Sequence, residues 1–362
     1  MNPLRLLAAV TGPRLLAAAP RTPAHVTPDS LSGAGGTAPA PDRPSSRTCL
    51  RAWAELLRVS ALFTVPGDAL AGAAAIGRCP GRGTALAVGA SLCLYEAGMA
   101  LNDWADREED AVDRPHRPIP SGRVAPGAAL AAAGALTAAG LALAARAGRP
   151  ALTVASGLAA TVWAYDLRLK HTRLGPAAMA SARTLDLLLG ATATAGAAPP
   201  ASTPPVTHAA SRSSRAQPPS AALPAALALG AHTYAVTAVS RHEVQGGSTA
   251  APLAALAGVA GLGAAALRVR PAHGEPSSAP ATGTLLLPAF VAAYLRTAAV
   301  PLLHAALNPS PPLTQRAVGG GIRSMIPLQA TLAARAGAPL VGLAAMGLGP
   351  LARALSRKVS PT

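Results

Sequence analysis

Six of the 15 acidic residues of this chain fall within residues 100–124, directly after an apolar run. Asp103, Asp106 and Asp110 are spaced i, i+3 and i+7, so a continuous helix would carry them within about 60° of one face. Carboxylates that close repel one another unless a cation compensates their charge. Mg²⁺ suits such a cluster because it prefers carboxylate oxygens and leaves positions open for phosphate oxygens. The spacing therefore predicts a helix end that binds a divalent cation.

The residues around this cluster favour a phosphate ligand. Asn102 adds a neutral oxygen or an amide donor at its start, and Pro115 is expected to end the helix. Arg114 and Arg117 lie beside the proline, and a guanidinium matches phosphate oxygens in a bidentate geometry. The alternative that spacing alone leaves open is a salt-bridged juxtamembrane segment that binds nothing.

Apolar helices must position these residues. The chain has 362 residues, of which 51% are hydrophobic and 13% charged, whereas a soluble domain averages about 25% charged residues. Ala, Leu, Gly and Val make up long apolar blocks, several of which reach the length of about 20 residues that crosses a bilayer. The blocks are 59–77, 84–101, 125–145, 150–165, 174–198, 221–240, 250–267, 284–307 and 325–352. The pattern predicts an all-α, polytopic membrane protein with about nine transmembrane helices.

One membrane domain accounts for most of the chain. We expect a disordered N-terminal extension over 1–48, a transmembrane domain over 49–355 with a low-complexity loop at 199–222, and a short tail over 356–362. With the N-terminus inside, the loops beginning at residues 102, 166, 241 and 308 share the cytoplasmic side. The predicted location is a cell membrane. Arginine in place of lysine and an excess of Ala, Gly and Pro indicate a GC-rich bacterial genome, so we expect a bacterial inner membrane.

The basic excess does not indicate a nucleic-acid partner. The formal charge is +16, but aromatic residues are 2% of the chain and leave little surface on which bases could stack. The arginines instead lie in loops between apolar blocks. We therefore expect a lipid bilayer as the partner and no nucleic acid.

The segment NDWADREEDAVDRPHRPIPSGRV resembles the first aspartate-rich motif of the UbiA superfamily of membrane prenyltransferases. The family pattern is NDxxDxxxD followed by RPxRPIPSGR. The resemblance implies a helical membrane fold around a central cavity, Mg²⁺ as the cofactor, a prenyl diphosphate as one substrate and a small-molecule acceptor as the other. It also implies roles for matching residues. Asn102, Asp103, Asp106 and Asp110 would hold the metal, and the three aspartates would carry catalysis. Arg114 and Arg117 would bind the diphosphate.

A second segment, WAYDLRLKHTRLGPAAMASARTLDLLLG, lies where the family carries a tyrosine and basic residues. Lys170 and Arg183 would by this resemblance bind the diphosphate, and Tyr165, Asp166 and Glu96 would line the substrate cavity. Two simpler interpretations stay open. Lys170 can be an ordinary basic residue of a cytoplasmic loop, as the positive-inside rule predicts. Arg183 can form an ion pair with Asp186, which lies three residues later on the same helix face.

The family's second aspartate-rich motif is degenerate in this chain. The positions that should carry three carboxylates are Ser240, Glu243 and Gly247, so one carboxylate remains. Glu243 is expected to contribute to a second Mg²⁺. This loop, SRHEVQGG, and the YDLRLK segment resemble the EboC-like branch of the superfamily.

The resemblance implies Mg²⁺-dependent transfer of a prenyl group from a prenyl diphosphate to an electron-rich, aromatic acceptor at the membrane. The alternative is a non-catalytic membrane protein of the same fold that binds or traffics a lipid or a secondary-metabolite precursor. The low aromatic content favours the alternative, because aromatic faces commonly stabilise carbocations. The intact first motif favours the enzyme.

Overall fold

The computed structural model describes residues 46–196, 217–268 and 281–359, and these ranges consist of helices joined by turns. The α-helices are α1 (Ser46–Leu56), α2 (Pro66–Ala75), α3 (Arg82–Ala105), α4 (Arg107–Asp113), α5 (Pro126–Ala147), α6 (Arg149–Ala164), α7 (Gly175–Gly196), α8 (Leu223–Ser240), α9 (Ala250–Leu267), α10 (Ala281–Leu307), α11 (Pro311–Arg335) and α12 (Pro339–Val359). Short 3₁₀ helices cover Val59–Thr64 and Pro219–Ala222, and a π-helix covers Tyr165–Leu169.

Several of the described helices have the length and apolar composition of transmembrane segments. Within the described residues, five stretches are long and apolar enough to cross a membrane: Arg82–Ala105, Pro126–Ala147, Pro219–Ser240, Ala250–Leu267 and Leu285–Leu307. Leu62–Ala75 and Pro339–Pro350 are apolar helices of shorter length. The predicted all-α, multi-pass membrane fold is confirmed.

Two groups of helices share α2. The first group, α3, α5, α6 and α7, packs around small residues such as Ala87, Ala90 and Ala155. The second group, α8 to α11, packs around a cluster that includes Leu229 and Tyr294. Helix α2 contacts α7 of the first group and α11 of the second. It therefore ties the two groups together.

Glycines allow α2 and α7 to touch through their backbones. A Cβ atom at Gly72 would lie 2.3 Å from the carbonyl oxygen of Leu187, and one at Gly190 would lie 2.4 Å from Cα of Ala69. No other residue fits at either position without separating the helices. Close backbone approach of this kind is how helices gain packing energy in lipid, where burial of apolar surface supplies no drive.

The last predicted block is two helices and not one. Helix α11 begins at Pro311 and ends at Arg335, and α12 begins at Pro339, so the block 325–352 is interrupted. Gly337 adopts a left-handed φ of 86° after the end of α11, which is the usual position and conformation for a glycine there. Pro339 then starts α12 at the first helical position, where a proline costs nothing.

Three predicted boundaries also move. Helix α1 begins at Ser46, inside the predicted extension 1–48, and α12 continues to Val359, inside the predicted tail. Pro219–Ala222 is helical although the low-complexity loop was predicted to reach residue 222. The predicted disorder of residues 1–45 and of 199–216 lies outside the described residues, as does the end of the predicted apolar block 174–198.

Candidate active site

The helix that carries the three aspartates breaks at the second of them. Asp106 closes α3 and precedes α4, with φ −88° and ψ 2°. The prediction of one continuous helix was wrong at this residue, because short polar side chains compete with the helical backbone and favour helix ends. Asp103 and Asp110 consequently share Arg117 as an ion-pair partner, whereas Asp106 pairs with Lys170. Pro115 ends α4 as predicted, since the residue before it, Arg114, has left the helical region at φ −142°.

Arg117 holds Asp103 and Asp110 together. Its Nη1 atom lies 3.2 Å from Oδ1 of Asp103 and 2.7 Å from Oδ2 of Asp110. Asp103 and Asp110 are only 4% and 3% exposed, so their negative charges need the neighbouring arginines to offset the loss of solvation. Arg114 adds a longer contact, 3.6 Å, to Oδ1 of Asp110. The predicted acidic and basic residues of the motif are therefore in one cluster.

Arg58 is a further basic residue of the cluster, and its place there was not predicted from the sequence. Its Nη2 atom lies 3.2 Å from Oδ1 of Asp103. The residue stands between α1 and the following 3₁₀ helix in a left-handed conformation, φ 48° and ψ 46°. That conformation costs a non-glycine residue about 1–2 kcal/mol, and the ion pair with Asp103 helps to offset it. The feature of the sequence that could have indicated Arg58 is its position just before the first apolar block, 59–77.

The π-helix brings the second predicted segment to the cluster. The N–H of Lys170 donates to the carbonyl of Tyr165 at 3.0 Å, an i to i+5 bond that widens the helix at this point. The Lys170 ammonium forms an ion pair with Asp106. Asn102 Nδ2 donates to Asp166 Oδ1 at 3.1 Å. The segments 102–110 and 165–170 are therefore in direct contact.

Burial dominates the titration of this segment. It raises the pKa of Asp166 to about 6, against the opposing effects of the Asn102 hydrogen bond and the Lys170 charge. Asp166 thus lies in a partly desolvated region at the edge of the cluster.

The third loop, 241–249 after α8, carries a single carboxylate, that of Glu243. Ser240 donates its hydroxyl back to the carbonyl of Thr237 at 2.9 Å, and Gly247, at φ 80°, donates its N–H to the carbonyl of Pro309 at 2.7 Å. Glu243 is half-buried, and burial raises the pKa of its carboxyl while the positive charge of Arg114 lowers it. Glu243 therefore lies within electrostatic reach of the cluster, on the side of Arg114.

Arg183 belongs to a different, buried network. Its guanidinium forms an ion pair with Asp68, which is fully buried, and its Nη1 atom lies 3.8 Å from Oδ2 of Asp186. The i+3 pair that the sequence left open is therefore present. Gln329 Nε2 donates to Asp68 at 2.6 Å, and Ser91 donates to Asp186. The network joins α2, α3, α7 and α11, and the predicted role of Arg183 in diphosphate binding stays a prediction.

Glu96 is buried, with 8% of its surface exposed. Neither of its carboxylate oxygens has a hydrogen-bond partner within the described residues. It precedes Asp103 by seven residues, which is two turns along the same face of α3. Its predicted place at the substrate cavity stays a prediction.

The donor chemistry of the cluster fits Mg²⁺. Asn102, Asp103, Asp106 and Asp110 offer hard oxygen atoms, which Mg²⁺ prefers, beside basic residues suited to phosphate. A further group of possible ligands was not predicted: the ligand atoms of Asp106, Glu109 and His171 lie within 4.8 Å of one another. Its histidine and one carboxylate are exposed. No local pattern in the sequence indicates this group, because His171 reaches α4 from the turn that precedes α7.

Several known proteins resemble this chain over part of its length. A digeranylgeranylglyceryl phosphate synthase of Methanopyrus kandleri is 36% identical over 130 residues, which cover 34% of this chain and 46% of the relative. The synthase of that name from Ignicoccus hospitalis is 37% identical over 156 residues, 40% of this chain and 48% of the relative. The bacteriochlorophyll synthase 33 kDa chain of Rhodobacter capsulatus is 65% identical over 26 residues, 7% of this chain and 9% of the relative. The chain spans less than half the length of these curated relatives.

Solved structures show the same fold at low sequence identity. A structure of a digeranylgeranylglyceryl phosphate synthase gives a TM-score of 0.53 at 15% identity, covering 81% of this chain and 99% of its own. A UbiA homologue from Archaeoglobus fulgidus, bound to GPP and Mg²⁺, gives 0.50 at 18% identity, covering 82% and 99%. The profile of the UbiA prenyltransferase family matches residues 60–310, which is most of the chain and includes every aspartate of the cluster. This protein belongs to the UbiA prenyltransferase family.

Proposed function

We propose that the protein transfers a prenyl group from a prenyl diphosphate to an electron-rich, aromatic acceptor at the membrane, with Mg²⁺ as cofactor. One observation carries the proposal. Three aspartates at the end of a membrane helix meet basic residues from three other segments: Arg58, the 114–117 turn and Lys170. The cluster lies at the end of α3, which is apolar and long enough to cross a membrane, and apolar helices of this kind offer an environment for a prenyl chain.

Each residue of the cluster has a defined part in this proposal. Asn102, Asp103, Asp106 and Asp110 would hold the metal, and Glu243 would approach from the third loop. When bound, Mg²⁺ supplies Lewis-acid charge to the diphosphate oxygens. Arg114, Arg117 and Lys170 would exchange their carboxylate partners for diphosphate oxygens and neutralise the charge that grows as the carbon–oxygen bond breaks.

The relatives support the donor more closely than the acceptor. The Archaeoglobus homologue carries GPP and Mg²⁺, which supports a prenyl diphosphate as the donor here. The relatives are named for two different products, a glyceryl phosphate lipid and bacteriochlorophyll. Two parts of the proposal rest on the motif sequences: the aromatic acceptor and the EboC-like branch. The bacterial inner membrane rests on the composition of the chain, and the cytoplasmic side of the cluster rests on the loop charges.

Pyrophosphate release tests the proposal. The purified protein in nanodiscs would receive a panel of prenyl diphosphates and a membrane extract as the source of acceptors, with and without Mg²⁺. We expect Mg²⁺-dependent release that Asp103→Asn reduces at least about 100-fold, since loss of a group that merely supports a metal ligand costs about 10–100-fold. Glu108→Gln is the matched control, because the Glu108 side chain is 86% exposed and pairs with Arg107 alone among the described residues. Equal release by Asp103→Asn and the wild type would refute the assignment.

A second candidate function is binding or trafficking of a prenyl lipid without transfer. The third loop favours it, because the Ser240 hydroxyl is turned back on its own helix and Gly247 has no side chain to offer. In the same experiment this candidate predicts Mg²⁺-dependent binding of the prenyl diphosphate with no release of pyrophosphate.

A further inference from the structure

Asp166 is a buried carboxylate beside the cluster that the proposed reaction does not use. It is the second residue of the π-helix, and 4% of its surface is exposed. Its Oδ1 atom accepts the hydrogen bond from Asn102 Nδ2 at 3.1 Å. Asn102 is the first residue of the motif that the family resemblance assigns to the metal. The contact therefore links a residue outside the motif to one within it.

The chemistry of this hydrogen bond fixes the orientation of the Asn102 amide. An ionised carboxylate only accepts hydrogen bonds, so the amide nitrogen must face Asp166. The amide oxygen then points away from Asp166. Asp106 stands one helical turn beyond Asn102, and its carboxylate is held by Lys170 from the end of the same π-helix. One short segment thus holds two residues of the motif.

The local backbone is built to bring this segment close. A Cβ atom at Gly98 of α3 would lie 3.0 Å from Cγ1 of Val162 and 3.9 Å from Oδ2 of Asp166. The absence of a side chain at Gly98 lets the end of α6 approach α3. The π-helix then directs Asp166 towards Asn102, and π-helical turns of this kind are frequent at functional sites.

We infer that Asp166 is a positioning residue that holds the Asn102 amide with its oxygen available to the metal. The inference rests on the proposed function, because it assigns Asn102 to the metal site. Supporting groups of this type set the orientation of metal ligands, and their loss typically lowers metal affinity 10–100-fold.

Mn²⁺ binding measured by electron paramagnetic resonance tests the inference on the full-length protein in detergent, with a non-reactive prenyl thiodiphosphate present. Asp166→Ala is expected to weaken Mn²⁺ binding about tenfold or more. Asp166→Asn is expected to stay within about threefold of the wild type, because its amide oxygen can accept the same hydrogen bond. Glu108→Gln is the carboxylate-to-amide control, and thermal melts establish that each variant is folded.

A double-mutant cycle separates action through Asn102 from independent action. If Asp166 acts through Asn102, Asn102→Ala combined with Asp166→Ala binds Mn²⁺ no more weakly than Asn102→Ala alone. Additive losses would overturn the inference, as would unchanged binding by Asp166→Ala. Asp166→Asn as weak as Asp166→Ala would show that the charge matters and the hydrogen bond does not, which also overturns it. Absence of Mn²⁺ binding by the wild type would instead refute the metal site of the proposed function, and the inference with it.

Discussion

Arg117 bridges Asp103 and Asp110 through a single nitrogen atom, Nη1, at 3.2 and 2.7 Å. The guanidinium therefore stands where a cation shared by these two carboxylates would stand. A metal that enters the cluster has to compete with it, and a diphosphate offers the guanidinium an alternative partner. Binding of metal and of diphosphate should therefore be mutually favourable.

Substitution of Arg117 tests this exchange. Arg117→Gln is expected to raise Mn²⁺ affinity about tenfold when diphosphate is absent, because the competing charge is gone, which corresponds to about 1.4 kcal/mol. The same change is expected to raise the KM for prenyl diphosphate about tenfold or more, because a charge-assisted contact is lost. Metal titrations and steady-state kinetics measure the two effects. Arg123→Gln is the control, since Arg123 lies in the same motif but pairs with Glu55 at 2.6 Å. A fall in Mn²⁺ affinity of Arg117→Gln without diphosphate would contradict the exchange.

The pairing of Arg183 with Asp68 predicts a loss of stability. Arg183→Gln leaves the fully buried Asp68 without its counter-charge, and breaking a buried ion pair typically costs about 3–5 kcal/mol. The double variant Asp68→Asn with Arg183→Gln is expected to recover part of the loss, because no unpaired charge remains. Thermal melts in detergent measure both. If Arg183→Gln melts like the wild type and only raises the KM for prenyl diphosphate, Arg183 binds the diphosphate instead.

The raised pKa of Asp166 predicts how stability changes with pH. A rise from the ordinary value of 3.8 to about 6 favours the protonated form in the folded state and corresponds to a cost of about 3 kcal/mol once Asp166 is ionised. The free energy of unfolding therefore falls as the pH rises from about 4 to about 6. Asp166→Asn is expected to melt at a higher temperature than the wild type at pH 7 in chelator-treated buffer, and to lose this advantage near pH 4. Asp113→Asn, at an exposed position, is the control. An advantage that does not vary with pH would contradict the assignment of the cost to Asp166.

Gly98 is predicted to be intolerant of a larger side chain. Gly98→Val would push its added carbons against Val162 and towards Asp166, so the π-helix would be displaced from α3. Overpacking typically costs about 1–3 kcal/mol, and we expect activity to fall about tenfold or more as Asn102 and Asp106 lose their partners. Gly134→Val is the matched control, because no atom lies within 4 Å of a Cβ at that position of α5. Similar activity losses in both variants would point to a general cost of valine in these helices.

The sequence revealed the residues of the site better than their partners. Asp103, Asp106 and Asp110 were recognisable because they recur close together after an apolar run, and Lys170 because lysine is rare in this chain. The break at Asp106 was missed because the spacing alone fits a continuous helix. The π-helix was missed because it has no distinct propensity pattern.

Pairs between distant helices leave no local trace in the sequence. Arg183 has Asp186 within one turn, yet it also pairs with Asp68, which precedes it by 115 residues. Arg58 reaches Asp103 across 45 residues. Such partners are selected by helix packing, which depends on where small residues such as Gly72 and Gly190 let backbones approach.

The position of α2 bears on how the protein can be assembled. This helix belongs to the N-terminal part of the chain but lies against α11, beyond the connection between α7 and α8. Helix α8 in turn packs on α7. The helices before this connection and the helices after it therefore cover each other's packing surfaces: α2 packs on α11, and α7 packs on α8. Co-expressed fragments divided between α7 and α8 are therefore expected to reunite in the bilayer as an active split enzyme, which would allow the cluster to be labelled in one fragment while the other stays unmodified.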